Sequence, residues 1–428
     1  MINKIRSLFI KEYYSFIQGH SYLNKNSILK LERILNSSNS EDIINYYEEN
    51  FSSQIGSGFG NTFAAGRMAF YSLMKILKIG EGDEVILLGS TCSVMPNAVL
   101  RIGAKPIFAD IDPDTFGSSP STIENSITDS TKMIVAQHSF GIPCKIDEIV
   151  KIGKKNNIFV LEDCAITFDS TLDGVKVGNW GDAAIFSCDH SKPINSLIGG
   201  FIYTTNIELH NKIKLYKNNI HGLTKDHQKR LFDRFLFERK YYNPSKYGLG
   251  RIFEFISNKI SFNKNSYTFL EADYTKNASN EDMSYPYPAK LPAFLAQLGL
   301  YELSRWKDEK KRRKNILNNY LNLANKLGLK KYLPFAYFDP RLNIIPLRFV
   351  FSHPNSDVIK VKMFNFINVN SFWFTKPIIC SNDMKDLGYK IGSCPISEKA
   401  GDEIINWPCV IDDSYSYRLL SKLQKVSN

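Results

Sequence analysis

Between residues 56 and 206, short apolar runs alternate with amphipathic stretches, and this rhythm constrains the fold more than any other feature of the chain. The runs are Glu84-Val-Ile-Leu-Leu, Lys105-Pro-Ile-Phe-Ala, Met133-Ile-Val-Ala-Gln, Ile158-Phe-Val-Leu, Ala183-Ala-Ile-Phe-Ser and Gly200-Phe-Ile-Tyr-Thr. Between them lie helix-patterned segments such as Ala69–Leu77, Pro96–Ile102 and Asp147–Lys155. Strands that read as unbroken apolar runs are buried on both faces, and helices between them supply the crossovers that parallel strands need. The pattern therefore predicts an α/β fold with a mainly parallel sheet covered by helices.

The flanks divide the rest. Residues 1–50 are polar and Asn/Ser-rich and read as a helical N-terminal extension, an appendage rather than a domain. Residues 51–206 form the large α/β domain. Residues 207–285 break the rhythm with a basic, aromatic insertion, for example Arg230-Leu-Phe-Asp-Arg-Phe-Leu-Phe-Glu-Arg-Lys-Tyr-Tyr, which reads as packed helices. Residues 286–428 open with a long helical pattern from Leu291 to about Leu327 and form a smaller C-terminal α+β domain. With 428 residues, 43% of them hydrophobic, the chain can bury a full core without disulfides or a structural metal.

Lys and Arg exceed Asp and Glu by 11, which favours anionic small molecules as partners. The cations are spread along the chain, arguing against nucleic acid; the one dense run, Lys310 to Lys314, reads as a solvated helix face. Seven scattered cysteines without a CxxC read as reduced thiols, not a disulfide framework or zinc site. The first residues do not lead into a signal-peptide core, and no uncharged run is long enough to cross a membrane. A cytoplasmic protein with no transmembrane segment is expected.

Three local features carry chemistry. The run Ile158–Leu161 ends in Glu162-Asp163, and functional groups in open α/β sheets collect beyond the carboxyl ends of strands. The run Ala183–Ser187 delivers Ser187, His190 and Lys192 into a loop that closes with Gly199-Gly200. Ala65-Gly66-Arg67 is a small-residue turn opening a helix, whose free amides and positive dipole end suit a phosphate. A strand-end carboxylate, a loop lysine and a phosphate cradle are the three parts of a pyridoxal phosphate site.

In this order, with Gly103-Ala-Lys-Pro-Ile-Phe-Ala-Asp110-Ile-Asp112, Gln137-His138-Ser-Phe-Gly141 and Gly181-Asp182 between them, the residues resemble the DegT-type sugar aminotransferases. These are fold type I, pyridoxal-phosphate-dependent enzymes. The resemblance is collinear over residues 56–206 and continues more loosely through Leu291–Arg313, Gly392–Glu398 and Ile405–Pro408. It implies that Lys192 is the catalytic lysine that joins the cofactor aldehyde and shuttles a proton. Asp163 is then the carboxylate under the pyridine nitrogen, and Gly66, Arg67 and Ser187 hold the phosphate. Cys92 takes the place where many members stack an aromatic ring on the cofactor, and Ile166 replaces a polar neighbour of that ring. Ser284-Tyr-Pro-Tyr-Pro occupies the region where many members place an Asn reaching the partner subunit. His138 has no second ligand at zinc spacing and reads as structural; His190 lies near the cofactor.

The resemblance further implies a homodimer with a nucleotide-sugar substrate and an amino donor, L-glutamate, serving polysaccharide, lipopolysaccharide or other glycan synthesis. Two alternatives stand beside it. The basic insertion suits a same-fold transaminase on a non-nucleotide or lipid-linked substrate, and the Cys92 and Ile166 departures suit a cofactor-binding regulator without turnover.

Overall fold

In the computed structural model, which describes residues 13–37, 41–260, 285–363, 367, 373–381, 383–412 and 415–416, the apolar runs become strands of one sheet. The first strands are β1 (Phe59–Phe63), β2 (Glu84–Leu88), β3 (Thr91–Cys92), β4 (Lys105–Ala109) and β5 (Thr131–Gln137). There follow β6 (Phe159–Asp163), β7 (Thr171–Leu172), β8 (Val175–Lys176), β9 (Ala183–Ser187) and β10 (Gly200–Thr204). Beyond the insertion come β11 (Leu342–Asn343), β12 (Arg348–Ser352), β13 (Ile378–Ile379) and β14 (Ile404–Pro408).

The main sheet has the order β1-β10-β9-β6-β5-β2-β4. From β4 to β9 neighbouring strands are parallel, whereas β10 and β1 run antiparallel at one edge. Successive side chains of a strand point to opposite faces. Val85, Leu87, Met133, Val135 and Leu161 accordingly join the cluster that includes helices Gly66–Ile76 and Ala293–Lys326, while Ile86, Ile134, Ala136 and Val160 pack against Ile146, Ile149 and Val150 of helix Ile146–Asn156. Each such fully buried aliphatic side chain contributes roughly 1.5–3 kcal/mol.

The described part of the N-terminal stretch, residues 13–37 and 41–50, packs into the main cluster. Helices Lys25–Asn36 and Glu41–Ile55 place Leu31, Leu35, Tyr47, Phe51 and Ile55 in the main cluster, with the Phe51 and Phe201 ring centroids 4.2 Å apart. These residues recur at four-residue spacing, a helical apolar stripe that the Asn/Ser-rich composition conceals. The stretch 207–285 is helical over Ile207–Asn219, Lys225–Tyr241 and Tyr247–Ile260; residues 261–284 lie outside the described residues. Its first helix contributes Leu209 and Ile213 to the main cluster.

Helix Ala293–Lys326 starts in that cluster with Phe294, Leu295 and Leu298 and ends in a second one with Ile316, Tyr320 and Leu323. There Phe349 and Phe351 of β12 meet Trp407 of the antiparallel β14. Two contacts fasten this C-terminal part over the carboxyl ends of the main strands. β13 pairs in parallel with β3, and Asp110, just past β4, accepts the Ile396 and Ser397 amides at 2.8 Å each, capping helix Pro395–Glu403. No helix among the described residues is long and apolar enough to cross a membrane.

Candidate active site

Asp163 is the last residue of β6, with Gln137 and Ile185 as its neighbours on the flanking strands. It is buried, and its Oδ1 accepts the Ala165 amide at 2.9 Å. Burial pushes the carboxyl above its usual range, opposed by that amide and by the positive charge of Lys192. Glu162, one residue earlier, points to the other face. Its carboxylate accepts the Gly178, Trp180 and Gly181 amides at 2.7, 2.7 and 2.9 Å and faces His138 Nε2 at 3.1 Å. His138 Nδ1 accepts the Cys144 amide at 3.0 Å. The donor atoms of His138, Glu162 and Cys164 lie within 4.8 Å of one another, a metal-like spacing. Because both ring nitrogens and the carboxylate are already engaged, the arrangement is structural.

Helix Gly66–Ile76 begins after Ala65, which has extended backbone and no side chain to cap the first amides. Ser187, at the end of β9, sits against this start: a Cβ on Gly66 would lie 3.3 Å from Ser187 Cβ. β10 comes closer still. A Cβ on Gly200 would meet Ala65 O at 2.2 Å and Gly66 N at 2.5 Å, so only glycine lets the strand and the helix start approach in this way. The result is a set of amides and one hydroxyl at a helix N-terminus, an anion cradle.

The loop after β9 is shaped by Asp189, whose carboxylate accepts from Ser191 N at 3.1 Å and Ser191 Oγ at 3.0 Å, while its carbonyl accepts the Lys192 amide at 2.9 Å. Lys192 Nζ lies 5.1 Å from the centre of the Trp373 ring. Its charge reaches Asp163, Asp189 and the Cys92 thiol. The thiol of Cys92 is lowered to about 7, first by a hydrogen bond with the Cys380 thiol, then, against burial, by the Val94 amide and the charges of Lys192 and Arg67. Gly66, Arg67, Cys92, Asp163, Ser187 and Lys192 are thus neighbours at one end of the sheet, although they span more than 120 residues of chain.

Three groups around the lysine loop carry no sequence signal of their own: Asp189, Trp373 and Glu238. Glu238 comes from helix Lys225–Tyr241, fully buried, and its Oε1 lies 2.8 Å from His190 Nδ1 and 2.7 Å from Arg234 Nε. Burial depresses His190, but the charges of Asp189 and Glu238 outweigh it and lift the ring to about 9. The insertion therefore braces the lysine loop from behind. Ile166 is buried, as a replacement of a polar group should be, and Tyr287 donates to Arg67 O at 3.4 Å. Ser284 of the Ser-Tyr-Pro-Tyr-Pro segment lies outside the described residues.

Beside the loop is a cavity of about 120 Å³, whose lining includes Lys192, Arg305, Arg312, Arg313 and Arg348, with Glu302 and Glu309 as the acids. The reading of Lys310 to Lys314 as a solvated face holds for Lys311 and Lys314 but not for Arg313. Lys310 pairs with Asp169 at 2.6 Å, and Arg313 is buried, donating to Glu309 at 3.0 Å and to Pro346 O at 3.1 Å. Lys311 and Lys314 stay exposed, so the stretch is a solvated face with one buried arginine on its inner side.

A family model described as the DegT/DnrJ/EryC1/StrS aminotransferase family matches residues 22–244. A GDP-perosamine synthase of Escherichia coli O157:H7 is 37% identical over 174 residues, 41% of this chain and 48% of that protein. The chain thus spans about half the length of this relative. The spore coat polysaccharide biosynthesis protein SpsC of Bacillus subtilis is 28% identical over 299 residues, 70% of this chain and 65% of that protein. Among solved structures, an aminotransferase from Psychrobacter cryohalolentis superposes with a TM-score of 0.69 at 20% identity, covering 94% of this chain and 97% of the other. That last likeness establishes the fold.

Proposed function

The chain belongs to the DegT/DnrJ/EryC1/StrS aminotransferase family, and we propose that it moves an amino group from L-glutamate to a nucleotide-linked keto sugar. Aminotransferases of this family depend on pyridoxal 5′-phosphate. The residues at the sheet end fit that group. The helix start at Gly66, with Arg67 and Ser187, would hold the phosphate; Asp163, a carboxyl buried at the end of β6, would keep the pyridine nitrogen protonated. Lys192 Nζ would hold the aldehyde carbon, and Cys92 would lie against the ring. When bound, the cofactor supplies an aldehyde for amine exchange and a ring that draws electrons from the reacting carbon.

The chain's own groups do the remaining work. Lys192 moves a proton on and off the substrate carbon, and Asp189, Ser191 and the His190–Glu238 pair fix the loop from which it acts. The cationic cavity orients anions, the carboxylates of the donor and the pyrophosphate of the acceptor. The observation that carries this reading is the convergence of Asp163, Lys192 and the Gly66–Ser187 cradle beside that cavity. The perosamine synthase and the spore coat protein among its relatives support a sugar acceptor and a role in polysaccharide or glycan synthesis. The site of action in this reading is the cytoplasm, and the working form is a homodimer.

The test is the visible spectrum of the purified protein before and after L-glutamate, with 2-oxoglutarate assayed in parallel. A cofactor band that shifts, with release of the keto acid, is expected. Lys192→Ala should lose the shift and slow turnover by roughly 10²–10⁴-fold or more. A colourless protein that cannot be reconstituted with pyridoxal phosphate would sink the assignment.

A further inference from the structure

Cys92 and Cys380 meet where the C-terminal part closes on the end of the main sheet. The parallel pairing of β3 with β13 sets Ile379 opposite Cys92, and the Ser93 amide donates to Ile379 O at 3.0 Å. Ser93 Oγ donates to Cys380 O at 3.3 Å, pinning the next residue too. Cys380 has a φ of +62°, so the chain turns out of the strand there. Regular alternation would send the side chain of Cys380 to the face opposite that of Ile379. After the turn its thiol instead lies in hydrogen-bond contact with that of Cys92.

We propose that this pair is a redox latch, closed to a disulfide by a hydroperoxide and reopened by a dithiol. In the first step the Cys92 thiolate attacks the peroxide; the O–O bond breaks, an S–O bond forms and hydroxide leaves. In the second the Cys380 sulfur displaces hydroxide from the sulfenic acid of Cys92, and that hydroxide leaves as water with the Cys380 proton. Two thiols have then lost two electrons to one peroxide. A dithiol returns the electrons by exchange and is itself oxidised to a disulfide. The closed latch joins β3 to β13 covalently and takes the Cys92 sulfur out of its contact with the position proposed for the cofactor ring.

The other thiols are poor competitors. Cys144, Cys164, Cys188, Cys394 and Cys409 are buried, and burial pushes Cys164, Cys188 and Cys409 up to about 12. Cys92 has a far larger thiolate fraction at neutral pH, and Cys380 is exposed to solvent. Reactivity and a resolving partner thus coincide at one place.

The test treats the full-length protein, as isolated with its cofactor, with equimolar hydrogen peroxide, alkylates it and digests it with trypsin without reductant. Tryptic peptides 79–101 and 363–385 each carry one cysteine, Cys92 and Cys380. A linked pair lighter by two hydrogens, a fall from seven free thiols to five, and reversal by dithiothreitol are expected. In Cys380→Ser the linkage should vanish while Cys92 becomes trappable by dimedone as a sulfenic acid. Cys92→Ser should slow oxidation of Cys380 about tenfold. Recovery of both peptides separately alkylated, or linkage only between two chains, would overturn the latch. The readout is the thiols themselves, so it stands or falls apart from the aminotransferase reading.

Discussion

Asp163 is buried for a purpose that should oppose stability. Its carboxyl is raised by burial, so the cofactor-free chain holds a proton there more readily than the unfolded chain does. By linkage, the stability associated with this group is complete below the usual carboxylate range and is lost as pH rises through the raised value. Asp163→Asn in the cofactor-free protein is therefore expected to raise Tm near neutral pH. The same change removes a charge-assisted contact to the ring nitrogen and should weaken pyridoxal phosphate binding roughly 10- to 100-fold. Calorimetry of the free protein and a cofactor titration give both signs, and unchanged affinity would remove Asp163 from its role. His190 behaves in the opposite manner. Its folded value of about 9 lies above the unfolded one, so its stabilisation is full below about pH 6.5 and disappears as pH rises through 9. His190→Gln should cost about 2 kcal/mol near neutral pH and almost nothing above about pH 10, as read by urea unfolding at the two pH values.

At the level of elements, legibility followed burial. β2, β9 and β10 coincide with the apolar runs because their central side chains are buried on both faces, whereas β4, at the sheet edge, keeps Lys105 exposed and paired with Glu84. β1, Phe59-Gly-Asn-Thr-Phe, could not be read this way. Its polar residues are buried and bonded to distant parts of the chain, Asn61 Nδ2 at 2.9 Å from His210 and Thr62 N and Oγ1 at 2.6 Å from Glu48. β3 and β13 are too short to have a period. The site divides similarly: Asp163, Ser187 and Lys192 were legible because each ends or follows a strand, whereas Glu238 finds His190 across 48 residues by packing alone. Gly200→Ala tests one element contact. A methyl group 2.2 Å from Ala65 O must push β10 and the helix start apart, at about 1–3 kcal/mol, and cofactor affinity should fall with it. A variant with normal affinity would show that the approach of β10 does not shape the cradle.

Across the whole molecule, the N-terminal residues, the insertion and the C-terminal part all converge on the lysine loop. Leu23, Leu31 and Leu35 are buried in the main cluster, and Tyr22 stacks under Arg305 at 3.6 Å on the cavity wall. Deleting residues 1–37 should remove about 5 kcal/mol of burial and lower Tm sharply, with loss of turnover beyond what the unfolded fraction explains. An unchanged melting curve would restore the appendage reading. The bond between His190 and Glu238 has a consequence for recombination between relatives. A chimera that exchanges the 207–285 stretch to alter what the enzyme accepts strands His190 beside whatever replaces Glu238, so the crossover must carry the lysine loop and the helix behind it as one cassette.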